Sequence, residues 1–250
     1  MIRNLMASRL KVPAAEQTLP GRPEEIPGVP ERHAVLDAPL KPPFGDGVRT
    51  AVFGLGCFWG AERLFWQLPG VVSTAVGYAG GSLENPSYEQ VCSGRSGHAE
   101  VVRVVWDDAR LSFTDLLKLF WECHDPTQGD RQGNDRGSQY RSAIYVDDPA
   151  LLAQAHSSRD AYQAALAARG YPAITTQIAA SQRFYYAEPY HQQYLAKPGS
   201  RPYCSAQPSG VPLGDFAGAR YLLPAAVWAS YDWSIPHCIL RGDNTPITLH

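Results

Sequence analysis

Residues 50–70 carry the sequence TAVFGLGCFWGAERLFWQLPG, in which an apolar run meets a helical pattern at a glycine and a cysteine. The first seven of these residues predict a short buried strand that ends in glycine. From Cys57 to Leu68 the apolar residues recur three or four positions apart, which is typical of one face of an amphipathic helix. Pro69 and Gly70 predict the end of this helix. The stretch therefore predicts a strand, a tight turn and a helix.

The same two patterns alternate along the chain on the C-terminal side of this stretch. We predict strands at 71–79, 101–106, 142–146 and 174–179, helices at 111–124 and 149–169, and a last short helix at 185–197. Two consecutive strands stand between the first two helices, so the core order is β-α-β-β-α-β. That order predicts an α/β fold, a two-layer sandwich built as a ferredoxin-like split β-α-β plait with a long irregular C-terminal segment.

The two ends of the chain lack this periodicity. Residues 1–48 contain eight of the 21 prolines, which predicts an extended N-terminal arm that follows the surface or is partly disordered. Residues 49–197 are the predicted α/β domain and hold most of the candidate catalytic residues. Residues 198–250 contain Cys204, Cys238 and several aromatic side chains. Because so many aromatic residues rarely face solvent, we expect this segment to pack on the core.

The composition argues against several classes of protein. The chain has 250 residues with 22 Lys and Arg against 24 Asp and Glu, whereas nucleic-acid binding needs a basic surface to meet phosphates. Hydrophobic residues make up 44% and charged residues 18%, an ordinary globular mixture. No run of 18 apolar residues predicts a membrane span, and the first six residues contain no apolar signal-peptide region.

The cysteines bear on the redox environment. Five cysteines is an odd number, and none of them form a C-x-x-C pair. This pattern argues against a disulfide framework or a structural zinc site, and it favours a cytoplasmic protein with reactive thiols. The sequence implies neither a metal nor an organic cofactor.

Cys57 is the strongest candidate for a nucleophile, because it stands where a strand ends and a helix begins. The unpaired N–H groups and the positive end of a helix dipole favour a thiolate at this position. The flanking glycines let the backbone approach a ligand closely. Phe58 and Trp59 follow directly, and an aromatic wall there suits a ligand with a methyl or sulfur group. A buried cysteine of the core is the alternative interpretation.

Other candidate residues lie in two segments further along the chain. His98 and Glu100 are two positions apart at the start of the third strand, so their side chains share one face. A carboxyl beside apolar walls has a raised pKa, which makes Glu100 a candidate general acid, although a solvated or salt-bridged glutamate is the commoner case. Residues 133–141 form a polar, glycine-rich loop. Tyr88 and Tyr140 are able to donate hydroxyl hydrogen bonds, although single tyrosines are more often structural.

Taken together, these segments resemble the A-type peptide methionine sulfoxide reductase family. The match begins with GCFWGAE at residues 56–62. Further matching segments follow in the family's order: VGYAGG at 76–81, NPSY at 85–88, VCSG at 91–94, GHAE at 97–100, FWECHDP at 120–126, GND at 133–135, QYRSAIY at 139–145, FYYAE at 184–188 and HQQYL at 191–195. The resemblance covers about residues 50 to 204 in one register, so it is far more specific than GCFWG alone.

The resemblance implies an oxidoreductase that repairs oxidised proteins under oxidative stress. Its members use thiols to reduce methionine S-sulfoxide, free or protein-bound, to methionine. By resemblance, Cys57 attacks the sulfoxide sulfur, while Phe58 and Trp59 hold the substrate's methyl group. The groups that face the sulfoxide oxygen are, by the same resemblance, Glu100 as proton donor, Tyr88 and Tyr140, with Asp135 and His191 in support.

The resemblance also assigns a second thiol. It implies that Cys57 becomes a sulfenic acid, which condenses with the resolving cysteine, matched here by Cys204, to a disulfide that thioredoxin or an equivalent dithiol reduces. Tyr203, which precedes it, is counted among the substrate-binding residues. Many relatives have glycines and another cysteine soon after this position, whereas here the next is Cys238, 34 residues later. Direct recycling of the Cys57–Cys204 disulfide and a relay to Cys238 both stay open.

Two other functions would use the same residues. A Cys–His hydrolase or transferase would acylate Cys57 with His98 or His191 as base, and it would not require Cys204. A binding module for methionine sulfoxide would hold its ligand without releasing methionine. We expect a monomeric, cytoplasmic enzyme that binds neither nucleic acid nor membrane.

Overall fold

The computed structural model describes residues 12–13, 18–237 and 240–249. Its strands are β1 (Val48–Leu55), β2 (Val71–Ala79), β3 (Ala99–Asp107), β4 (Arg131–Gln132), β5 (Asp135–Arg136), β6 (Ser142–Val146), β7 (Gln177–Ala180) and β8 (Tyr185–Tyr186). Its α-helices are α1 (Phe58–Trp66), α2 (Tyr88–Cys92), α3 (Phe113–Cys123), α4 (Pro149–Ala167) and α5 (Ala225–Trp228). Short 3₁₀ turns occur at Ser138–Tyr140 and Tyr194–Ala196.

Six strands form one sheet in the order β7-β6-β1-β3-β2-β8. The four central strands pair antiparallel with their neighbours, and their order is that of a split β-α-β plait. β7 extends the sheet in parallel beside β6, and β8 adds a short antiparallel edge beside β2. The predicted α/β fold with a ferredoxin-like plait is therefore confirmed.

The helices α1, α3 and α4 share one apolar cluster with the sheet. Phe53 of β1 stacks on Phe65 of α1 with 4.9 Å between ring centroids, and it lies 5.7 Å from Phe120 of α3. Trp121 Nε1 of α3 donates to Ser158 Oγ of α4 at 2.9 Å. Aromatic pairs of this kind add about 0.5–1.5 kcal/mol each beyond the area they bury. This layer holds α1 firmly against β1 and thereby fixes the turn between them.

The described part of the N-terminal arm packs against the sheet. Val29 and Leu40 form a buried cluster with Ala75 of β2, on the face opposite the helices. The arm also reaches the face of the sheet that the helices cover, where His33 Nε2 bonds to Thr74 Oγ1 of β2 at 2.8 Å. Arg103 of β3 anchors the end of the arm, because its guanidinium donates to Leu40 O at 2.8 Å. Both faces of β2 are thus covered.

The predicted helix at 185–197 is wrong. Tyr185 and Tyr186 form the edge strand, and turns follow as far as the 3₁₀ turn. The Gln192 side chain accepts from the Val76 N–H at 3.0 Å and donates to Val76 O at 2.9 Å, so it continues the pairing of β2 in place of backbone. Gln193 has a φ of +46°, and this left-handed conformation interrupts any helix.

The segment after Cys204 has little regular structure, but it contributes to the main apolar cluster. Val211, Leu213, Leu223 and Val227 are buried there against the helices. Asp115, in the first turn of α3, accepts the backbone N–H groups of the chain at residues 222 and 223 at 2.9 and 3.3 Å. None of the helices within the described ranges is long and apolar enough to cross a membrane.

Candidate active site

Cys57 lies in the turn between β1 and α1. Gly56, which precedes it, has a φ of +94°, and a Cβ at that position would lie 3.0 Å from the Gln132 side chain. Cys57 is the N-cap residue of α1 and is only 7% exposed. Cys57 therefore stands at the positive end of the helix dipole, which favours negative charge on its sulfur.

Glu100 of β3 lies directly beside this helix end. Its Oε2 accepts the backbone N–H of Phe58 at 3.2 Å, and its side chain is buried. Burial raises the pKa of Glu100 to about 8, the charge of Asp135 acts in the same direction, and the Phe58 N–H opposes them. Because its pKa lies above 7, most of the carboxyl is protonated at neutral pH and is able to donate a proton next to Cys57.

Two tyrosine hydroxyls face the same space. Tyr88 begins α2, which a capping box at Ser87 and Gln90 stabilises, and its backbone N–H donates to Glu188 at 2.9 Å. Tyr140 comes from the 3₁₀ turn before β6. Burial raises the pKa of both phenols, and the neighbouring acidic groups raise it further. Both therefore stay protonated and remain hydrogen-bond donors.

Asp135 connects this group to the chain near Cys204. Its Oδ1 accepts the Tyr203 hydroxyl at 2.8 Å, and this bond raises the pKa of Tyr203. Its backbone N–H donates to Ser205 Oγ at 3.1 Å. The other carboxylate oxygen, Oδ2, is buried and has no hydrogen-bond partner among the described residues. Asp135 therefore keeps one acceptor position for a group that enters the site.

Phe58 and Trp59 form an aromatic wall beside the thiol. Trp59 Nε1 donates to His191 Nδ1 at 3.0 Å, and the indole stacks on Tyr194 with 3.9 Å between centroids. His191 is buried behind this wall rather than on the surface of the pocket. Burial lowers its pKa to about 4, so the ring is neutral and accepts the indole N–H. His191 thus holds Trp59 in place from behind.

These side chains enclose a pocket of about 120 Å³. Its lining residues are Cys57, Phe58, Trp59, Tyr88, Glu100, Asp135, Tyr140 and Tyr203. Drug-sized ligands need about 300–1,000 Å³, so this pocket fits a small group such as the end of one side chain. One wall is apolar and aromatic, and the other carries a protonated acid and hydroxyl donors. The arrangement suits a nucleophilic attack by sulfur with proton donation to the departing or developing anion.

The other candidate residues lie outside the pocket lining. The Cys204 thiol donates to Ala206 O at 3.7 Å, and the residue packs against Trp66 and Leu195. Cys238 lies outside the described residues. None of the four described cysteines forms a disulfide bond. In that same part of the chain, no cluster of three or more His, Cys, Asp or Glu side chains has the geometry of a metal site.

His98 has a role in the fold rather than in the pocket. Its Nε2 bonds to Leu83 O at 2.7 Å, and its Nδ1 accepts the Gly81 N–H at 3.1 Å. Both ring nitrogens are engaged, and burial lowers its pKa to about 4. Neither His98 nor His191 lines the pocket, so neither of the histidines that the Cys–His hydrolase interpretation requires is placed to act as its base.

Two neighbours of the pocket were not identified from the sequence. Tyr194, which stacks on Trp59, lies within the HQQYL segment, and that segment was the available signal. His237 lies in the C-terminal segment, where its ring is buried against the backbone of Cys57. No motif in the sequence indicates this second contact.

Comparison with known proteins gives a consistent result. A family model described as peptide methionine sulfoxide reductase matches residues 49–211. The chain is 60% identical to the peptide methionine sulfoxide reductase MsrA of Rhodospirillum centenum over 205 residues, which cover 81% of this chain and 92% of the relative. It is 59% identical to the protein of the same description from Ectopseudomonas mendocina, over 84% of this chain and 94% of the relative.

A solved structure is similar over the same extent. The methionine sulfoxide reductase A of Corynebacterium diphtheriae has a TM-score of 0.73 and 42% sequence identity. The alignment covers 82% of this chain and the whole of that chain. The fold, the helix that begins after Cys57 and the surrounding sheet therefore belong to an architecture that is already known.

Proposed function

The chain belongs to the peptide methionine sulfoxide reductase family, and on that premise we propose how its pocket carries out the reaction. The activity is the thiol-dependent reduction of methionine S-sulfoxide to methionine. The observation that carries the proposal is the pocket itself, in which a thiol, a protonated carboxyl and an aromatic wall meet within about 120 Å³.

Substrate recognition is assigned to the aromatic wall and the hydroxyl groups opposite it. The methyl group of the sulfoxide lies against Phe58 and Trp59, since aromatic faces and polarised methyl or sulfur groups attract each other. The sulfoxide oxygen accepts hydrogen bonds from Tyr88 and Tyr140. Tyr203 stands at the mouth of the pocket and is 53% exposed, so it is placed to contact the chain of a peptide substrate.

The first chemical step is the attack of Cys57 on the sulfoxide sulfur. A sulfoxide is a poor electrophile until its oxygen is protonated or hydrogen-bonded, and Glu100 supplies that proton. The S=O bond breaks as the oxygen passes to Cys57, so methionine leaves and the cysteine becomes a sulfenic acid. The tyrosine hydroxyls stabilise charge that develops on the oxygen. Asp135 accepts the Tyr203 hydroxyl and thereby holds Tyr203 at the edge of the pocket.

The second step restores the nucleophile. The Cys204 thiol attacks the sulfur of the Cys57 sulfenic acid, a disulfide forms, and the hydroxyl leaves as water with the thiol proton. Thioredoxin or an equivalent dithiol then reduces this disulfide to two thiols and is itself oxidised. A relay from Cys204 to Cys238 before that reduction is the alternative route.

The biological role follows from these steps. We propose that the enzyme repairs oxidised methionine in proteins and also accepts the free amino acid, because the pocket holds only the end of one side chain. We propose that the enzyme acts as a monomer. Because the cycle needs thiols between turnovers, we propose that the enzyme works in a reducing compartment such as the cytoplasm.

We expect kcat/KM to fall as the pH rises through about 8, because the proton donor is lost when Glu100 ionises. The rate falls as the pH rises because Glu100 acts in its protonated form and loses its proton above its raised pKa. Steady-state rates between pH 6 and 9.5 with excess reductant check this, and recovery of full activity on return to pH 7 excludes unfolding. A rate that stays constant from pH 7.5 to 9.5 contradicts the proton-donor role.

Replacement of Cys204 with serine is expected to allow one turnover and then arrest, with thioredoxin as the only reductant. Quenched-flow analysis should find about one methionine per chain and a sulfenic acid on Cys57. Cys123→Ser is the control, since its buried hydroxyl keeps the bond that the thiol makes to Phe120 O at 3.6 Å. Continued turnover of the Cys204 variant contradicts the resolving role.

The wild-type chain without reductant identifies the route of recycling. One methionine per chain with a Cys57–Cys204 disulfide supports direct reduction of that disulfide. Two methionines per chain with a Cys204–Cys238 disulfide support the relay.

A further inference from the structure

The C-terminal tail, defined as residues 212–237 and 240–249, lies beyond the segment that matches the family model. We propose that this tail positions the resolving cysteine, through His237, which contacts both the turn that carries Cys204 and the backbone of Cys57. The inference rests on the proposed function, in which Cys204 closes the disulfide. It assigns to His237 the role of positioning Cys204 for the formation of the disulfide.

One carbonyl group holds the turn of the resolving cysteine. Ala206 O accepts the Cys204 thiol at 3.7 Å and also accepts the backbone N–H of His237 at 3.0 Å. Ala206 is 1% exposed, so water does not compete for this acceptor. The tail therefore bonds directly to the group that orients the Cys204 sulfur.

The side chain of His237 extends toward the nucleophile. Its ring is fully buried next to the backbone of Cys57, and neither ring nitrogen has a hydrogen-bond partner among the described residues. Burial lowers its pKa to about 3, with the His124 ring acting in the same direction, so the imidazole is neutral. A neutral ring in this position acts by its shape and packing rather than by charge. His237 thus spans the distance between the two cysteine-bearing segments.

The opposite side of the turn is held by the β4–β5 hairpin. Ser205 Oγ donates to Gln132 O at 2.8 Å and accepts the Asp135 N–H at 3.1 Å. The approach is close, because a Cβ at Gly133 would lie 2.0 Å from Ser205 O. The turn is therefore clamped between a hairpin of the pocket and the tail.

The end of the tail is fixed to the helix that Cys57 begins. Asn244 Oδ1 accepts Arg63 Nη1 at 3.2 Å, and its backbone oxygen accepts Trp66 Nε1 at 3.0 Å. Asn244 Nδ2 donates to Leu195 O at 3.0 Å. Cys204 packs against Trp66 and Leu195. The nucleophile's helix, the resolving turn and the tail are thus held together as one unit.

This arrangement affects the rate at which the Cys57–Cys204 disulfide forms. In that step the Cys204 sulfur bonds to the Cys57 sulfur, the S–O bond breaks, and water leaves with the thiol proton. Its rate depends on how often the two sulfurs meet in line, and small displacements of reacting groups cost large factors in rate. The tail keeps the resolving turn near Cys57, whereas the attack on the sulfoxide uses only residues of the pocket.

The test is His237→Ala, which keeps the backbone N–H but removes the ring between the two segments. Single turnover without reductant should release methionine within about twofold of the wild-type rate, while the Cys57–Cys204 disulfide closes about tenfold more slowly. Sulfenic acid, trapped with dimedone and measured by mass spectrometry, should accumulate. His156→Ala, which removes a half-buried histidine on α4, is the matched control and should close at the wild-type rate.

Three outcomes overturn the inference. The first is closure at the wild-type rate in His237→Ala, the second is equal slowing of methionine release and closure, and the third is a Cys57–Cys238 disulfide. If His237→Ala does not fold, Asn244→Ala is used as the test variant. We then expect the Cys57–Cys204 disulfide to form about threefold more slowly while methionine release is unchanged. Failure of the wild type to form the Cys57–Cys204 disulfide overturns the proposed function instead, so the two failures are distinguishable.

Discussion

Replacement of Cys57 with serine is expected to lower the rate of methionine release by at least about 10⁴-fold, or roughly 5 kcal/mol of transition-state stabilisation. A serine hydroxyl is a weak nucleophile unless a base takes its proton. Neither His98 nor His191 is among the described residues that line the pocket, since His98 bonds to Leu83 and His191 bonds to Trp59. Neither of these histidines is therefore available to activate the substituted hydroxyl. Methionine release in a single turnover with dithiothreitol present is the measurement.

Cys57→Ser is expected to lose the chemical step but to keep substrate binding. The aromatic wall and the hydroxyl donors are unchanged, so affinity for methionine sulfoxide should stay within about threefold of the wild-type value. Cys123→Ser, buried in α3 and outside the pocket lining, is the matched control and should keep normal turnover. Methionine release above about one hundredth of the wild-type rate would show that another group attacks the sulfoxide. A wild-type chain that binds but releases no methionine would favour the binding-module interpretation.

Glu100→Gln is expected to lower kcat/KM at pH 7 by about 10²–10³-fold, in the range that general acid catalysis supplies. The amide oxygen still accepts the Phe58 N–H, so the helix end and the wall keep their geometry. The amide has no acidic proton to give to the sulfoxide oxygen. Stopped-flow measurement of methionine formation, with affinity measured in the Cys57→Ser background, separates the loss of the proton from a loss of binding.

A nearby carboxyl serves as the control for Glu100. Glu89 is exposed on α2, so Glu89→Gln removes a negative charge near the pocket without touching its lining. We expect that variant to keep its rate within about twofold, since exposed charges are screened by solvent. Glu100→Gln should also lose the fall in rate near pH 8. Unchanged turnover in Glu100→Gln would exclude the general-acid role.

The folded core was largely predictable because its signals are local. The strand and helix on either side of Cys57 follow from apolar spacing and from the helix breakers Pro69 and Gly70. The chain from 185 to 197 was not predictable in this way. There the Gln192 side chain pairs with Val76 of β2, and the left-handed Gln193 donates to Glu62 of α1. Both partners are more than a hundred residues away in the chain.

The sequence by itself determined the order of strands and helices, the place of Cys57 at a helix N-terminus and the family, because periodicity and motifs are properties of neighbouring residues. Only the tertiary structure decided which distant side chains meet. The register of the sheet places Glu100 within hydrogen-bond distance of the Phe58 N–H, and the packing of loops places Asp135 next to the Tyr203 hydroxyl. It also decided that the tail returns to Cys57 at His237, since this contact arises from burial against the completed core and leaves no local pattern.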